Sequence, residues 1–428
     1  MNFLFITWKN DAGQLAWQVR KEGHNVKVHI DYKSCRDCYD GLLEKVRPWQ
    51  DQVEWADVII FDEIGFAKKA QNLRDNGKKV IGGTRYTDNL EWNREFGQRE
   101  MERLGMKVLA HWEFNNFDRA IAFISSNPRR YVFKPQGVVS SADHNLLFVG
   151  QEKNGRDLWQ LLKSNQKKWR FKIKRFMLQE YAGGVEIAVG GFFNGYKFLF
   201  PICVNQEYKR LFPGNVGPLT NDMGALVFWS KPNEMYARTL AKIEKELARI
   251  GYVGYFDVNC IANKNELFPL EFTARFGYPT IDTQLAGIGM PAGEFLFRLA
   301  NGENFEIPIK SPLQIGICGV LPTFIHGDSR LVSAYRDSAI FFDGSEWDLP
   351  GLFFKDVKLD KNQLRVAGES KFIGVATGSG RNIGAARRQA YKNIRKIKTQ
   401  DMFYRSDIGE NWRNDFALLK KFGYLKII

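Results

Sequence analysis

The stretch LFPLEFTARFGYPTIDTQ, residues 267–284, decides the fold when it is read together with GYVGYFDVNC at residues 251–260. Each begins as a short apolar run rich in aromatic residues, which predicts a buried strand carrying one acid, Asp257 or Glu271. Buried carboxylates are unfavourable unless a cation lies between them, and Mg²⁺ or Mn²⁺ suits such a site because it takes oxygen ligands and binds nucleotide phosphates. Arg275 follows directly and could neutralise a transferring phosphoryl group. The alternative to a metal site is that the two acids lie at strand ends and pair with neighbouring Lys or Arg residues.

Composition favours a globular protein of the reducing cytoplasm. The chain has 428 residues and five scattered cysteines, an odd number that argues against a disulfide framework. We expect no membrane partner, because no apolar run reaches membrane-spanning length. The net charge of +14 suits ATP and other anionic small molecules, and it also leaves nucleic acid open as a partner. The most basic segment, KKWRFKIKR at residues 167–175, alternates cations with apolar residues, which predicts a strand with a solvated cationic face.

The order of predicted elements divides the chain into three parts. Residues 1–110 alternate strands with helices, which predicts a parallel sheet that binds ligands beyond the carboxyl ends of its strands, near residues 7–13, 61–65 and 82–85. Residues 111–310 read as strands and hairpins joined by helices. Residues 311–428 read as a mostly β segment followed by a helix at about residues 383–397.

Four motifs in this order resemble the ATP-grasp superfamily, most closely its phosphoribosylamine–glycine ligase (glycinamide ribonucleotide synthetase) family. They are LQEYAGGVEIAV at 178–189, QEYKRLFPGNVGPLTNDMGA at 206–225, LEFTARFG at 270–277 and MFYRSDIG at 402–409. The likeness covers nearly the whole chain. It implies an α/β fold, α+β in the nucleotide-binding part, with an N-terminal parallel-sheet domain and a small C-terminal domain.

The resemblance also implies roles for individual residues. The side chains that would bind ATP are Arg94, Lys134, Gln179, Glu180, Tyr181 and Glu186. Arg275 would be catalytic, stabilising an acyl phosphate. The metal ligands would be Asp257, Glu271 and Thr273, where threonine replaces the family's asparagine. The substrate residues would be Lys209, Asn215, Gly217, Pro218, Asn221, Met223 and Arg405.

The chain departs from the family mainly in two loops. The family's first strand ends in a GGREHALAW-like loop that grips the phosphate of phosphoribosylamine, whereas residues 9–17 here read KNDAGQLAW. A phosphate could still bind the helix N-terminus with help from Lys9, but Asp11 would oppose it. The loop over ATP reads VVSSADHN at residues 138–145, where Ser140 and Ser141 can donate hydrogen bonds and Asp143 adds a negative charge.

Three functions follow as hypotheses. The first is an ATP-dependent ligase of phosphoribosylamine–glycine ligase type, acting in purine biosynthesis through an acyl phosphate and releasing ADP and phosphate. The second is the same chemistry joining a glycine-like carboxylate to another amine, such as a modified nucleotide or a nucleic-acid base. The third is a nucleotide- or nucleic-acid-binding protein without catalysis.

Overall fold

The computed structural model describes residues 1–136, 146–325, 329–344 and 348–425. The loop predicted to cover ATP, with Ser140, Ser141 and Asp143, lies outside the described residues. Within them, no helix is long and apolar enough to cross a membrane. The mixed α/β architecture expected from the sequence is confirmed.

An N-terminal parallel sheet opens the chain. Its strands lie in the order β3–β2–β1–β4–β5, and their bounds are β1 Asn2–Thr7, β2 Asn25–Ile30, β3 Glu44–Lys45, β4 Val58–Phe61 and β5 Val80–Ile81. The crossover helices are α1 Gly13–Lys21 and α2 Ala67–Asp75. Fully buried Phe3, Leu4 and Ile6 fill both faces of β1, as a strand covered on both sides requires.

Two helices, α3 Arg85–Trp92 and α4 Arg94–Arg103, lead out of this sheet. The run NLEWNREFGQREMERLG at residues 89–105 predicts one helix here. The chain breaks at Asn93, whose side chain accepts a hydrogen bond from the Phe96 amide at 3.1 Å and so caps α4. The break sets Arg94 in the first turn of α4.

A small antiparallel sheet follows, in the order β6–β9–β7–β8. Its elements are β6 His111–Phe114, α5 Phe117–Ser126, β7 Tyr131–Pro135, β8 Phe148–Val149, α6 Arg156–Lys172 and β9 Phe176–Glu180. The strand predicted for the basic segment at residues 167–175 is wrong, because α6 runs through it to Lys172. Buried Leu158 and Leu162 are spaced for one helix face, and that face packs against the small sheet.

A large antiparallel sheet forms the centre of the molecule, in the order β16–β15–β10–β11–β14–β17–β22–β19. Its strands are β10 Val185–Asn194, β11 Ile202–Glu207, β14 Gly224–Ser230, β15 Val253–Ala262, β16 Leu267–Thr273, β17 Leu313–Val320, β19 Leu352–Phe354 and β22 Phe372–Gly380. The hairpin β12 Arg210–Phe212 with β13 Val216–Leu219 projects from it. The sheet continues without a break across residue 310, where we had predicted a domain boundary; the three-part division stays a prediction.

The remaining helices cover the large sheet and the chain's C-terminal part. They are α7 Glu234–Arg238, α8 Leu240–Arg249, α9 Thr280–Gly287, α10 Ala292–Ala300, α11 Ser329–Tyr335, α12 Ile383–Ile394 and α13 Trp412–Lys421. Besides the β12–β13 hairpin, two further short strand pairs are present. They are β18 Phe341–Phe342 with β23 Ile397–Lys398, and β20 Val357–Asp360 with β21 Gln363–Val366. The predicted helix at residues 383–397 is confirmed and ends at Ile394.

We predict that Phe256→Ala lowers the free energy of unfolding by about 3–5 kcal/mol, because its fully buried ring packs against Phe272 with centroids 5.5 Å apart. The control is Phe171→Ala on α6, whose side chain is 75% exposed and whose removal we expect to change stability by less than about 0.5 kcal/mol. Urea unfolding of both variants measures the difference. Equal midpoints would show that β15 does not anchor the core as described.

Candidate active site

The register of β15 and β16 brings the predicted acids onto one sheet face. Asp257 lies opposite Thr273, and Asn259 lies opposite Glu271. Residues directly opposite each other in antiparallel strands, and residues two apart along a strand, project to the same side. The four oxygen-bearing side chains therefore form one patch at the edge of the large sheet.

Asp257 is a buried carboxyl group with no ion-pair partner among the described residues. Burial and the charge of Glu207 raise its pKa well above the usual range, opposed by a hydrogen bond with Thr273. Its Oδ1 has no hydrogen-bond partner among the described residues. Gly190 lies opposite it on β10, where a Cβ atom would come within 2.9 Å of the Asp257 Cβ. The neighbouring strand therefore leaves room for the acid.

Glu271 lies between two cations. Arg94 Nη1 is 3.0 Å from its Oε2, and Lys209 Nζ is 3.9 Å from its Oε1. Burial opposes ionisation, but Arg94 and Lys209 together outweigh it and hold the pKa of Glu271 at about 2. The sequence left open whether this acid pairs with local cations, and the structure shows such a pairing. Arg94 comes from α4, so the ion pair joins that helix to the sheet edge.

Lys209 forms the opposite wall of this patch. Its Nζ lies 3.0 Å from Glu207 and 3.7 Å from Glu186, besides the contact to Glu271. Burial lowers the pKa of Lys209, but the charges of the three carboxylates outweigh burial and hold this pKa well above its usual range. The residue predicted to bind substrate thus lies within reach of the residue predicted to bind ribose, Glu186.

Lys134 is a buried ammonium group with no ion-pair partner among the described residues. It is 7% exposed, and its Nζ donates to the Gln179 side-chain oxygen at 2.7 Å. Burial and the charge of Arg94 lower the pKa of Lys134 to about 8. Gln179 in turn donates weakly to Gln98 at 3.4 Å, and Gln98 donates to the Leu270 carbonyl at 2.8 Å. A chain of amides therefore fixes Lys134 toward β16.

Arg275 follows the end of β16 and is held by Glu91 of α3. Its Nε donates to Glu91 Oε1 at 3.1 Å, and Glu91 also accepts from the Ala274 amide at 3.0 Å. Burial disfavours the guanidinium charge, but Glu91 and Glu63 raise the pKa of Arg275 well above its ordinary value. The arginine remains charged beside the metal-ligand candidates.

The segment predicted to meet adenine is ordered by two arginines. The Arg130 guanidinium stacks over the Tyr181 ring at 3.4 Å from its centroid, and Arg129 lies 3.8 Å from Glu180. The backbone amides of Glu180 and Tyr181 already donate to Ala110 and Arg130. The side chains and remaining backbone groups of this segment stay predicted ATP contacts.

The predicted substrate residues divide into exposed and buried groups. Asn215, Gly217, Pro218 and Asn221 lie on or beside the β12–β13 hairpin and are exposed or half-buried. Met223 is fully buried in a cluster with Leu211 and Cys318. The structure therefore places Met223 behind the hairpin, and its contact with a substrate stays a prediction.

Arg405 is also fully buried and supports the hairpin. Its guanidinium lies 2.7 Å from Asp407, and it donates to the Arg210 carbonyl at 2.8 Å and to Asn215 at 3.1 Å. Asp407 accepts in addition from the Gly214 amide at 2.9 Å. Arg405 thus positions the hairpin, and direct contact with a substrate stays a prediction.

The donor set at the sheet edge fits a hard divalent cation. Its side chains offer oxygen atoms and one amide nitrogen, and they belong to Asp257, Glu271, Thr273 and Asn259. One Asp257 oxygen has no hydrogen-bond partner in the described part of the chain. Within the described ranges no three acidic, His or Cys side chains converge on one point. Mg²⁺ requires fewer protein ligands when phosphates complete its shell.

Sequence reasoning missed Asn259, Glu91, Glu207 and Gln98. Asn259 was detectable, because a period of two from Asp257 in the same strand places both side chains on one face. The others required tertiary structure, since Glu91 reaches Arg275 across 184 positions and Gln98 reaches Leu270 across 172.

The comparisons with known families concern the region that holds this site. The family model for the phosphoribosylglycinamide synthetase ATP-grasp (A) domain matches residues 92–281. Two curated phosphoribosylamine–glycine ligases are similar over most of their length. The protein of Clostridium acetobutylicum is 23% identical over 79% of this chain and 80% of its own, and that of Streptococcus suis is 24% identical over 84% of each.

Solved structures share the fold. The crystal structure of phosphoribosylamine–glycine ligase from Thermotoga maritima matches with a TM-score of 0.71 and 16% identity, over 95% of this chain and all of that one. The ADP complex of N5-carboxyaminoimidazole synthetase from Staphylococcus aureus matches with a TM-score of 0.54 and 13% identity, over 98% of each chain. These likenesses confirm the ATP-grasp fold predicted from the motifs.

We predict that Arg405→Ala destabilises the protein by about 3–5 kcal/mol, because it removes a fully buried guanidinium, leaves half-buried Asp407 without its partner and frees the β12–β13 hairpin. Limited trypsin digestion should then cut sooner after Lys209 or Arg210. Arg388→Ala on the exposed side of α12 is the control and should behave as the parent protein. Unchanged digestion in Arg405→Ala would show that the arginine does not support the hairpin.

Proposed function

We propose that this chain is an ATP-grasp ligase of the phosphoribosylamine–glycine ligase type, which phosphorylates a small carboxylate with ATP and transfers the acyl group to an amine. The observation that carries the proposal is Lys134, a buried ammonium group that has no carboxylate partner among the described residues and faces Arg94. A buried cation without a counterion requires an anion for full stabilisation. The phosphate groups of ATP would provide that negative charge.

The ATP phosphates would lie among Lys134, Arg94 and Lys209. Arg94 and Lys209 share Glu271 in the protein alone, and a bound polyphosphate would compete with this carboxylate for both cations. Glu186, within 3.7 Å of Lys209, would accept hydrogen bonds from ribose hydroxyls. The Staphylococcus aureus neighbour was solved in complex with ADP, which supports nucleotide binding by a chain of this fold.

Asp257, Glu271 and Thr273, with Asn259, would hold Mg²⁺ or Mn²⁺. When bound, such an ion neutralises charge on the β- and γ-phosphates. Arg94 would then be freed from Glu271 to contact phosphate. Burial and the charge of Glu207 raise the pKa of Asp257 in the protein alone, and a bound cation would favour its ionised form.

The reaction has two balanced steps. An oxygen of the glycine-like carboxylate attacks the γ-phosphorus, the bond to the ADP oxygen breaks, and an acyl phosphate forms. The amine then attacks the acyl carbon, inorganic phosphate leaves with the bonding electrons, and the amine loses one proton. Arg275, fixed by Glu91, would stabilise the charge on the acyl phosphate. The hairpin held by Arg405 would border the carboxylate substrate, with Lys209 at its base.

Catalysis here rests on positioning and charge, because every group assigned a role either binds or orients. This accounts for a site built from lysines, arginines and carboxylates. Curated relatives named phosphoribosylamine–glycine ligase make glycine the first carboxylate to test.

We predict that the full chain with ATP, Mg²⁺, glycine and hydroxylamine releases ADP and forms glycine hydroxamate. Hydroxylamine traps an acyl phosphate by direct attack, so the assay does not depend on the natural amine. Mass spectrometry detects the hydroxamate, and a chelator in excess over Mg²⁺ should abolish it. ADP release without hydroxamate, or no ADP release with glycine, would contradict the proposed carboxylate activation.

We predict that Lys134→Ala weakens ATP–Mg²⁺ binding about 10- to 100-fold, because a charge-assisted contact to phosphate contributes about 1.5–3 kcal/mol. Lys167→Ala is the matched control, since this lysine lies exposed on α6 of the same lobe. Isothermal titration of both variants gives the affinities. Equal affinity for ATP in the two variants would remove the phosphate role of Lys134.

A further inference from the structure

A second group of charged side chains lies at the carboxyl ends of β1 and β4, outside the site for ATP. Asp11 follows β1, and Asp62 and Glu63 follow β4, which is the edge where parallel sheets bind ligands. Asp282 reaches the group from α9, and Lys355 reaches it from the segment after β19. We call these five residues the acidic pocket.

Direct contacts show that these residues form one group. Lys355 Nζ pairs with Asp11, and Glu63 shares a hydrogen bond with Asp11. The Ala12 amide donates to Asp62 at 2.9 Å. The Gln14 amide donates to the Asp11 carbonyl at 2.9 Å and to Asp282 at 3.2 Å, so it bridges the two sides of the pocket.

Four buried oxygen atoms, two in the pocket and two on Asn10 and Gln14, which contact it, have no hydrogen-bond partner in the described part of the chain. They are Asp62 Oδ1, Asp282 Oδ1, Asn10 Oδ1 and Gln14 Oε1, on side chains that are at most 2% exposed. All four are hydrogen-bond acceptors, and unsatisfied buried acceptors are costly. Their common deficiency is a donor, so a ligand that completes the pocket brings N–H or O–H groups.

The charges in the pocket also favour a ligand that brings N–H donors and positive charge. Four carboxyl groups meet one lysine, Lys355, which is already paired with Asp11, and the charge of Arg275 also favours the ionised forms of Asp11 and Glu63. Burial and the charge of Asp11 raise the pKa of Asp62 to about 7 and that of Glu63 well above its usual range, and burial raises that of Asp282 to about 8. Carboxyl groups that resist ionisation in this way mark a place short of positive charge.

The pocket adjoins the proposed site of acyl transfer. The charges of Glu63, Asp11 and Asp257 all act on Arg275, which would contact the acyl phosphate. We therefore expect an amine held by the carboxylates to lie near the acyl carbon. A phosphate group would instead meet the charge of Asp11 and the unpartnered acceptors of Asp62 and Asp282, where it needs donors.

We propose that the acidic pocket binds the acceptor of the ligase as a cation, and that this acceptor is a primary amine carrying positive charge and no phosphate. The inference rests on the proposed function, since it assigns the second substrate of that reaction. Asp62 and Glu63 would bind the ammonium group, and one of these carboxylates would take the proton that the nitrogen must lose before its lone pair attacks the acyl carbon. The unpartnered acceptors of Asn10 and Asp282 would take its remaining N–H donors.

The first experiment supplies the full chain with ATP, Mg²⁺ and glycine, and compares two probes. We expect 1,4-diaminobutane to yield a glycyl amide by mass spectrometry and to stimulate ADP release. Ribose 5-phosphate, a stable phosphosugar, should neither bind nor inhibit. Inhibition by ribose 5-phosphate that competes with the diamine, or no reaction and no binding of the diamine, would overturn the proposal.

Hydroxylamine trapping in the same preparation separates the two claims. Glycine hydroxamate formed without any response to the diamine would leave carboxylate activation intact and reject the cationic acceptor. Absence of hydroxamate would reject the proposed function itself. The diamine could still bind in that case, and titration calorimetry with 1,4-diaminobutane alone then decides whether the pocket takes a cation.

Two variants test the carboxylates. Asp62→Asn keeps an oxygen that can accept from the Ala12 amide, and Glu63→Gln is a second variant should the first fail to fold. Each should lower amide formation from the diamine, relative to hydroxamate formation, at least tenfold. Glu54→Gln, with a side chain 88% exposed in the same N-terminal part, is the control and should not change this ratio. An unchanged ratio in both test variants would overturn the assignment.

Discussion

The ion pair between Glu271 and Arg94 is the contact on which the site depends. It joins the first turn of α4 to the edge of the large sheet, and Lys209 approaches the same carboxylate from the other side. Lys134 lies beside this group with only neutral amide contacts. Arg94 and Lys209 pair with Glu271, whereas Lys134 has no ion-pair partner among the described residues, so the release of Glu271 to a metal would leave more positive charge free for phosphates. Substrate binding and the internal ion pair thus compete for the same groups.

Much of the fold was predictable because local patterns agreed with the tertiary structure. The strand–helix alternation of the first 110 residues became a parallel sheet, and the acids at 257 and 271 lie on adjacent strands as their apolar contexts indicated. The strand predicted for the basic segment at residues 167–175 is wrong, because Trp169 and Phe171 alternate there with cations as they would in a strand. Helix α6 instead follows the spacing of Leu158 and Leu162, which lies outside the segment. Asn93 divided a predicted helix for a local reason, its capping contact with Phe96.

The site was predictable where a motif carried the chemistry and unpredictable where distant residues completed it. Glu271, Arg94 and Lys209 do meet, yet Glu91, which orients Arg275, belonged to no motif. Met223 and Arg405 lie in the best matched segments but are buried, so their motifs reflect support of the hairpin. The acidic pocket assembles residues more than 340 positions apart, such as Asp11 and Lys355, and spacing along the chain contains no sign of it.

The central claim is that a carboxylate oxygen attacks the γ-phosphate. The most direct test uses glycine labelled with ¹⁸O in its carboxyl group, together with ATP, Mg²⁺ and hydroxylamine. Mass analysis of the released inorganic phosphate measures where the oxygen goes. An acyl phosphate predicts one ¹⁸O atom transferred to each phosphate. Unlabelled phosphate, released at the same rate with or without glycine, would contradict the account and show that ATP is hydrolysed by water alone.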